Sequence, residues 1–301
     1  MLSPSTWPPG VRGCLWMTGT LASFTAMGVG GRELSDTLSA LQISFIRATG
    51  GFLIVTALLA QFGFAQARLR RLPLHLVRNT FHFASQSLWF YSLSILPLAT
   101  VFALEFTIPI WSAILAVIFL AERMNRGRTV AVAMGFVGIL VIVQPGTEIF
   151  DPASIIVVVA AIGFSVSNVC TKPLSRDHTP LAIIFYMNLI QMPLGLAAAL
   201  WVGWVWPTSA DLPWMIVVGA SGLTAHFCMT RAFMLADATL VLPIDYLRLP
   251  LAALIGYLMY DESVDAALVL GALVILGGNL YSIRHEGRLH RLRAETAKGG
   301  A

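Results

Sequence analysis

Charge is scarce in this sequence. Lys, Arg, Asp and Glu together make up 11% of its 301 residues, while 57% are hydrophobic. A soluble domain carries roughly 25% charged residues, so a water-facing surface for a chain of this length is excluded. A surface that faces lipid tails needs no such charge. Cysteine is scarce too. Cys14, Cys170 and Cys228 lie in apolar stretches and their number is odd, which argues against a disulfide framework. No paired Cys/His spacing offers a metal site, and no cofactor is implied. No Gly-rich loop precedes Lys-Ser or Lys-Thr, so an ATP-driven pump has no support. The net charge of +4 comes from loops between apolar runs rather than from a basic stripe with interleaved aromatics, which excludes nucleic acid as a partner. The opening MLSPSTWPPG has no basic n-region and no cleavage site, so the first apolar run is expected to be a retained span.

What the chain does have is apolar runs of membrane-crossing length. They predict an all-α polytopic membrane protein with ten transmembrane helices. The first five are expected at Val11–Gly30, Leu38–Gly63, Leu76–Ile95, Leu98–Leu120 and Arg128–Val143. The second five are expected at Pro152–Thr171, Pro180–Trp204, Leu212–Leu235, Thr239–Tyr260 and Asp265–Ile283. The links hold Pro, Gly and charges. With the amino terminus in the cytoplasm, 15 of 19 basic residues fall in cytoplasmic segments, Arg78 and Lys172 among them. Only Arg32 falls in a segment on the other side. This bias predicts an even number of spans with both termini cytoplasmic, in a bacterial inner membrane. The tail after Ile283 is polar and basic, and is expected to be disordered or to lie on the anionic membrane surface.

The two halves match at a constant offset of 140 residues. Phe24 matches Phe164, Leu41 matches Leu181, Ile43 matches Ile183, and Phe45 matches Phe185. Ala113 matches Ala253, Glu122 matches Glu262, Gly138 matches Gly278, and Glu105 corresponds to Asp245. Five spans per repeat is an odd number, so the second repeat enters from the opposite side and the topology is inverted. Two such halves can expose a central site to one side and then to the other. The segments LPLATVFALEFTIPIWSAILAVIFLAERMNRGRTVAVAMGFVGILVIVQPG and LADATLVLPIDYLRLPLAALIGYLMYDE resemble the closing parts of two EamA repeats. The whole chain resembles the drug/metabolite transporter superfamily. That resemblance implies five-helix repeats at residues 12–144 and 152–284, a cytoplasmic tail at 285–301, and transport of small solutes of many kinds.

Charged side chains at bilayer depth are costly unless paired or hydrated. Arg47, Glu105, Arg231, Asp245 and Arg248 are therefore the first candidates for a site, with His82 and His226 as two further titratable groups. One reading sets them in two layers, Arg47 with Glu105 and Asp245 with Arg231 or Arg248, broken and made in turn during transport. The alternative is static ion pairs that fix helix packing. His82, Gln86 and Trp89 share one helical face and suit a cavity wall. Trp89 and Tyr91 can also be read as interfacial aromatics. Asn188 and Gln191 share a face of the seventh helix, with Asn168 in the sixth. These amides suit a solute or helix–helix hydrogen bonds. Trp111 follows Pro109 two turns from Glu105. Pro109 and Pro250 recur one residue off register and predict kinks. Glu122 and Glu262 end their helices at the interface. The glycines of GVGG at 28 and LGG at 276 are read as packing.

The leading function is a secondary transporter that moves a small polar metabolite by alternating access. Three basic against two acidic membrane residues favour an amino acid or an organic anion, and the histidines and carboxylates allow proton coupling. The alternative is a membrane-embedded lipid- or metabolite-modifying enzyme. That function would need a nucleophile with a base, or clustered metal ligands. His82 and His226 have no such partners nearby in the sequence.

Overall fold

The computed structural model describes residues 7–121, 124–147 and 151–299, with side chains throughout except at 66, 238, 239 and 289–299. Glu122 and the basic tail side chains from Arg291 onward lie outside the described residues. The described chain is α-helical: α1 (Pro9–Leu34), α2 (Ala40–Phe62), α3 (Leu72–Leu93), α4 (Leu98–Glu105), α5 (Ile108–Leu120), α6 (Arg126–Val143), α7 (Ala153–Leu174), α8 (Pro180–Val202), α9 (Leu212–Leu235), α10 (Ala238–Asp245), α11 (Arg248–Tyr260) and α12 (Ala266–Gly299). Among the described residues, eight helical stretches, counting α4–α5 and α10–α11 as one each, are long and apolar enough to cross a membrane. α1 and α3 are also long, 26 and 22 residues, but carry more polar side chains. The backbone after Ile283 continues as helix to Gly299. This departs from the disordered alternative for the tail and does not bear on the membrane-surface one.

Local chemistry sets the helix ends, and the same devices recur 140 residues apart. Ser39 caps α2 through the Gln42 amide, and Thr179 caps α8 through that of Ala182. Asn125 accepts from the Arg128 amide at the start of α6, and Asp265 from the Leu268 amide at the start of α12. Each cap satisfies an otherwise orphaned N–H and contributes about 1 kcal/mol. Ala121 and Asp261 both end their helices in the left-handed region, with φ of 53° and 52°.

The outer surface is apolar. Trp201 is 91% exposed, Ile216 73% and Phe119 70%. Such a surface is stable in a bilayer and not in water, so the protein is an integral membrane protein. Inside, α1 packs on α9, α3 on α7, α2 on α8, and α6 on α12. α2 and α9 approach backbone to backbone. A Cβ on Gly50 would stand 2.6 Å from the Gly219 Cα, a contact open only to glycine. The glycines singled out in the sequence do serve packing: Gly30 meets Val218 and Gly278 meets Ala131.

The two expected kinks are full breaks. α4 stops at Glu105 and α5 begins at Ile108; α10 stops at Asp245 and α11 begins at Arg248. Pro109 and Pro250 each lack the N–H that would continue the ladder, and their rings crowd the carbonyl four residues back. Tight turns close the gaps, with Thr107 N–H donating to Leu104 O (3.1 Å) and Leu247 N–H to Ile244 O (3.1 Å). The carbonyl of Phe106, released at the first break, accepts from Asn279 Nδ2 at 2.9 Å.

Candidate functional site

The breaks put a carboxylate at the end of each short helix, and the bundle brings these ends together. Arg248 opens α11 and reaches both: Nη1 lies 3.2 Å from Glu105 Oε1 and Nη2 lies 3.3 Å from Asp245 Oδ2. Trp89 Nε1 donates to the second oxygen of Glu105 at 2.8 Å. The rings of Phe24, Phe102 and Phe106 surround the guanidinium, with centroids 4.8, 5.2 and 4.9 Å from its carbon. Such rings favour a cation held out of water. Asp245 Oδ1 is buried and has no hydrogen-bond partner among the described residues.

This cluster lies on the wall of a cavity of about 620 Å³. His82, Gln86, Trp89, Glu105, His226, Asp245 and Arg248, all expected from the sequence, line it. The cavity extends to Lys172 and to an ion pair between Arg128 and Glu286 (2.5 Å), whose side chains are 25% and 41% exposed. At the opposite end of the bundle the helices are tied together. Arg32 lies 3.5 Å from Glu262 and donates to the carbonyls of Leu93 and Leu96. Glu262 also accepts from the Leu98 amide (2.8 Å), and Tyr260 Oη donates to Glu33 (2.8 Å). Glu262 is thus a buried tie between chain segments rather than a solvated helix terminus.

Other expected site residues stand elsewhere. Arg47 does not pair with Glu105. It donates to Gln191, beside Gly222, where a Cβ would lie 3.3 Å from its Nη1. Arg231 does not join Asp245; it is exposed on α9, its guanidinium carbon 5.7 Å above the Trp16 ring. Of the two expected charge layers, the Asp245–Arg248 pairing is present and the Arg47–Glu105 pairing is not; Glu105 instead joins Arg248 and Asp245 in one cluster. Trp111 turns from the cavity to meet Phe136 edge-on at 5.2 Å. Asn188 donates to Ile184 O (2.9 Å) at the contact of α8 with Gly51 of α2, a packing role. Gln191 stands one layer behind the wall, 3.1 Å from His82 Nδ1. Tyr91 is 48% exposed, as an interfacial aromatic would be.

The charge count along the spans changes meaning here. Of the three basic residues counted, only Arg248 reaches the cavity, where it faces two carboxylates. Phe24, Asn168, Tyr246 and Asn279 also line the cavity but were not among the expected site residues. Asn168 carried a signal as an amide within a span. The aromatics were indistinguishable from core residues.

Residues 11–144 match the EamA-like transporter family, and residues 152–284 match it a second time. The chain belongs to the EamA-like transporter family. A protein named S-adenosylmethionine uptake transporter from Rickettsia bellii is 29% identical over 271 residues, 90% of this chain and 93% of that one. A riboflavin transporter from Rhizobium johnstonii is 30% identical over 283 residues, 93% of this chain and 94% of its own. A pseudopaline exporter from Pseudomonas aeruginosa is 28% identical over 85% of this chain and 91% of its own. One solved crystal structure covers 92% of this chain and 98% of its own with a TM-score of 0.66 at 16% identity, a likeness of fold.

Proposed function

We propose that this EamA-family protein is a secondary transporter of a small polar metabolite and works by alternating access. The observation that carries the reading is the cavity: it is tied shut beyond Glu105 by the Arg32–Glu262 cluster and reaches the partly exposed Arg128–Glu286 pair at its other end. The proposed architecture has ten spans in two inverted five-helix repeats, residues 12–144 and 152–284, followed by a tail at 285–301. α1 and α3 complete the ten, since 26 and 22 residues at about 1.5 Å per residue reach across a hydrocarbon core. The packing supports this. Shifting by 140 residues turns the α1–α9 contact into the α7–α3 contact and maps α2–α8 and α6–α12 onto themselves. The cavity mouth faces the cytoplasm of a bacterial cell in this reading, and both termini lie on that side.

The solute is a small molecule with an aromatic or apolar part and at least one positively charged or N–H-rich group. The cavity pairs aromatic walls with two carboxylates against one guanidinium, and the Oδ1 of Asp245, buried at its wall, is left without a partner among the described residues. S-adenosylmethionine and riboflavin, named for relatives, are the first solutes to test. Amino acids come next, and a proton at the carboxylate cluster is a candidate coupling ion. The test is uptake into proteoliposomes of these three classes, with and without a pH gradient. Saturable flux that Asp245→Asn reduces at least tenfold is expected. No saturable flux for any class, in either direction, would overturn the reading.

A further inference from the structure

Behind the cavity wall stand two buried guanidiniums with no counter-charge. Arg47 of α2 is 3% exposed and Arg78 of α3 is 8% exposed. The orientation count placed Arg78 with the cytoplasmic positives, but the helix buries it. Among the described residues neither has a carboxylate within 4.0 Å, whereas Arg248 nearby has two. Their partners are all neutral. Arg47 donates to Gln191 Oε1, and its Nε is buried without a partner. Arg78 donates from Nε to Thr171 Oγ1 (2.7 Å) and from Nη1 to Asn79 Oδ1 (2.6 Å). A pair of like charges held out of water by neutral acceptors alone is an expensive arrangement, and an anion would relieve it.

The same hydrogen bonds prepare the wall in front. Arg47 takes the Gln191 oxygen, so Gln191 must present its Nε2 to His82 Nδ1, 3.1 Å away. His82 Nδ1 then accepts, which leaves the ring proton on Nε2. His82 lines the cavity, and its one ring hydrogen bond to a described side chain is through Nδ1. One turn along α3, Gln86 also lines the cavity, and its Nε2 is a buried donor without a partner. Two unused N–H donors therefore stand at this wall, that of His82 toward the cavity and that of Gln86 sealed just beneath its surface, with two positive charges behind them.

We infer that His82 Nε2 and Gln86 Nε2, backed by Arg47 and Arg78, form a subsite for a small anionic group. The subsite lies on the α3 wall, across from the carboxylate cluster of Glu105 and Asp245. A zwitterion thus meets positive potential at one end and negative at the other. This deepens the transport reading by naming the solute class, but anion binding itself does not depend on flux. The anion is either the solute's own carboxylate or a free halide, and both share the same donors.

The test is thermal unfolding of the full chain in detergent, titrated with sodium acetate and, separately, sodium chloride. A saturable rise of the midpoint is expected. A response to acetate at lower concentration than to chloride assigns the subsite to a carboxylate; the reverse order assigns it to a halide. Arg78→Gln and Gln86→Leu should each raise the half-saturating concentration at least tenfold. Arg47→Lys, which keeps the charge but loses the fork that holds Gln191, should weaken binding as well and serves if Arg47→Gln does not fold. Responses that are unsaturable and equal for the two salts, or unchanged in these variants, would overturn the subsite. Saturable binding without flux of any solute would leave the subsite standing and count against transport alone.

Discussion

Arg248→Gln probes the junction of the two halves. Arg248 has a 5% exposed side chain and bridges Glu105 at 3.2 Å and Asp245 at 3.3 Å. Its removal leaves two carboxylates facing one another in a site lined by Phe24, Phe106 and Trp89. Removing one partner of a buried ion pair costs about 3–5 kcal/mol, because the remaining charge is left uncompensated. Loss of the three ring contacts adds to this, at about 0.5–2 kcal/mol each. With roughly 2–4 °C per kcal/mol for a chain of this order of size, the lower bound alone shifts the unfolding midpoint down by about 6 °C. The decisive control is Glu105→Gln/Asp245→Asn/Arg248→Met, which removes all three charges together. This variant should recover most of the lost stability, since replacing a whole buried ionic group by neutral side chains is often neutral or stabilising. It should not recover transport. The assay is the thermal midpoint of purified full-length protein in one detergent at one pH. If Arg248→Gln left the midpoint within about 1 °C of wild type, the cluster would not be electrostatically coupled. If the triple variant fell below the single one, the charges would be contributing net stability, contrary to the argument.

The tie at the Arg32 end predicts that Glu262→Gln opens that end. Loss of charge-assisted contacts worth about 1.5–3 kcal/mol should raise the open population roughly 10- to 100-fold. In a variant without the three native cysteines, a cysteine at the buried Ser92 should then react correspondingly faster with a membrane-impermeant maleimide; an unchanged rate would refute it. Asp211, just before α9, accepts from the Thr208 amide (2.7 Å), the Thr208 hydroxyl (2.8 Å) and the Thr37 hydroxyl (2.8 Å). These bonds hold its carboxyl below the usual range. A lowered value means stability that is fully present above the ordinary carboxylate pKa of about 3.9 and lost as pH falls through the lowered one. The midpoint difference between wild type and Asp211→Asn should be constant from pH 5 to 8 and shrink below about pH 4. A difference that grew on acidification would sink the argument.

How much was legible in the sequence follows from the distance over which each feature acts. Ser39, Asn125, Thr179 and Asp265 cap their helices through bonds three residues away, so their meaning is local. Pro109 and Pro250 interrupt the ladder by their own chemistry, and their breaks were visible as kinks. Glu105, Asp245 and Arg248 were marked because charge in an apolar run is costly wherever it points. Their partners were not marked. Arg47 and Glu105 both lie in the interior of predicted spans, yet one faces Gln191 and the other Arg248.

Composition and run length, by themselves, determined that this is a helical membrane protein, because a chain so poor in charge cannot coat itself for water. The 140-residue register and the EamA resemblance pointed to the family that residues 11–144 and 152–284 match. Only the tertiary structure decided which charges meet. A side chain's partner depends on the rotation of its helix and on which helices touch, and neither leaves a trace in residue order. That is why Arg231 and Trp111 turned out to face away from the cavity. Arg78, counted with the cytoplasmic charges at the start of the third predicted span, proved to be buried, as is Arg47, behind His82 and Gln86 for the same reason.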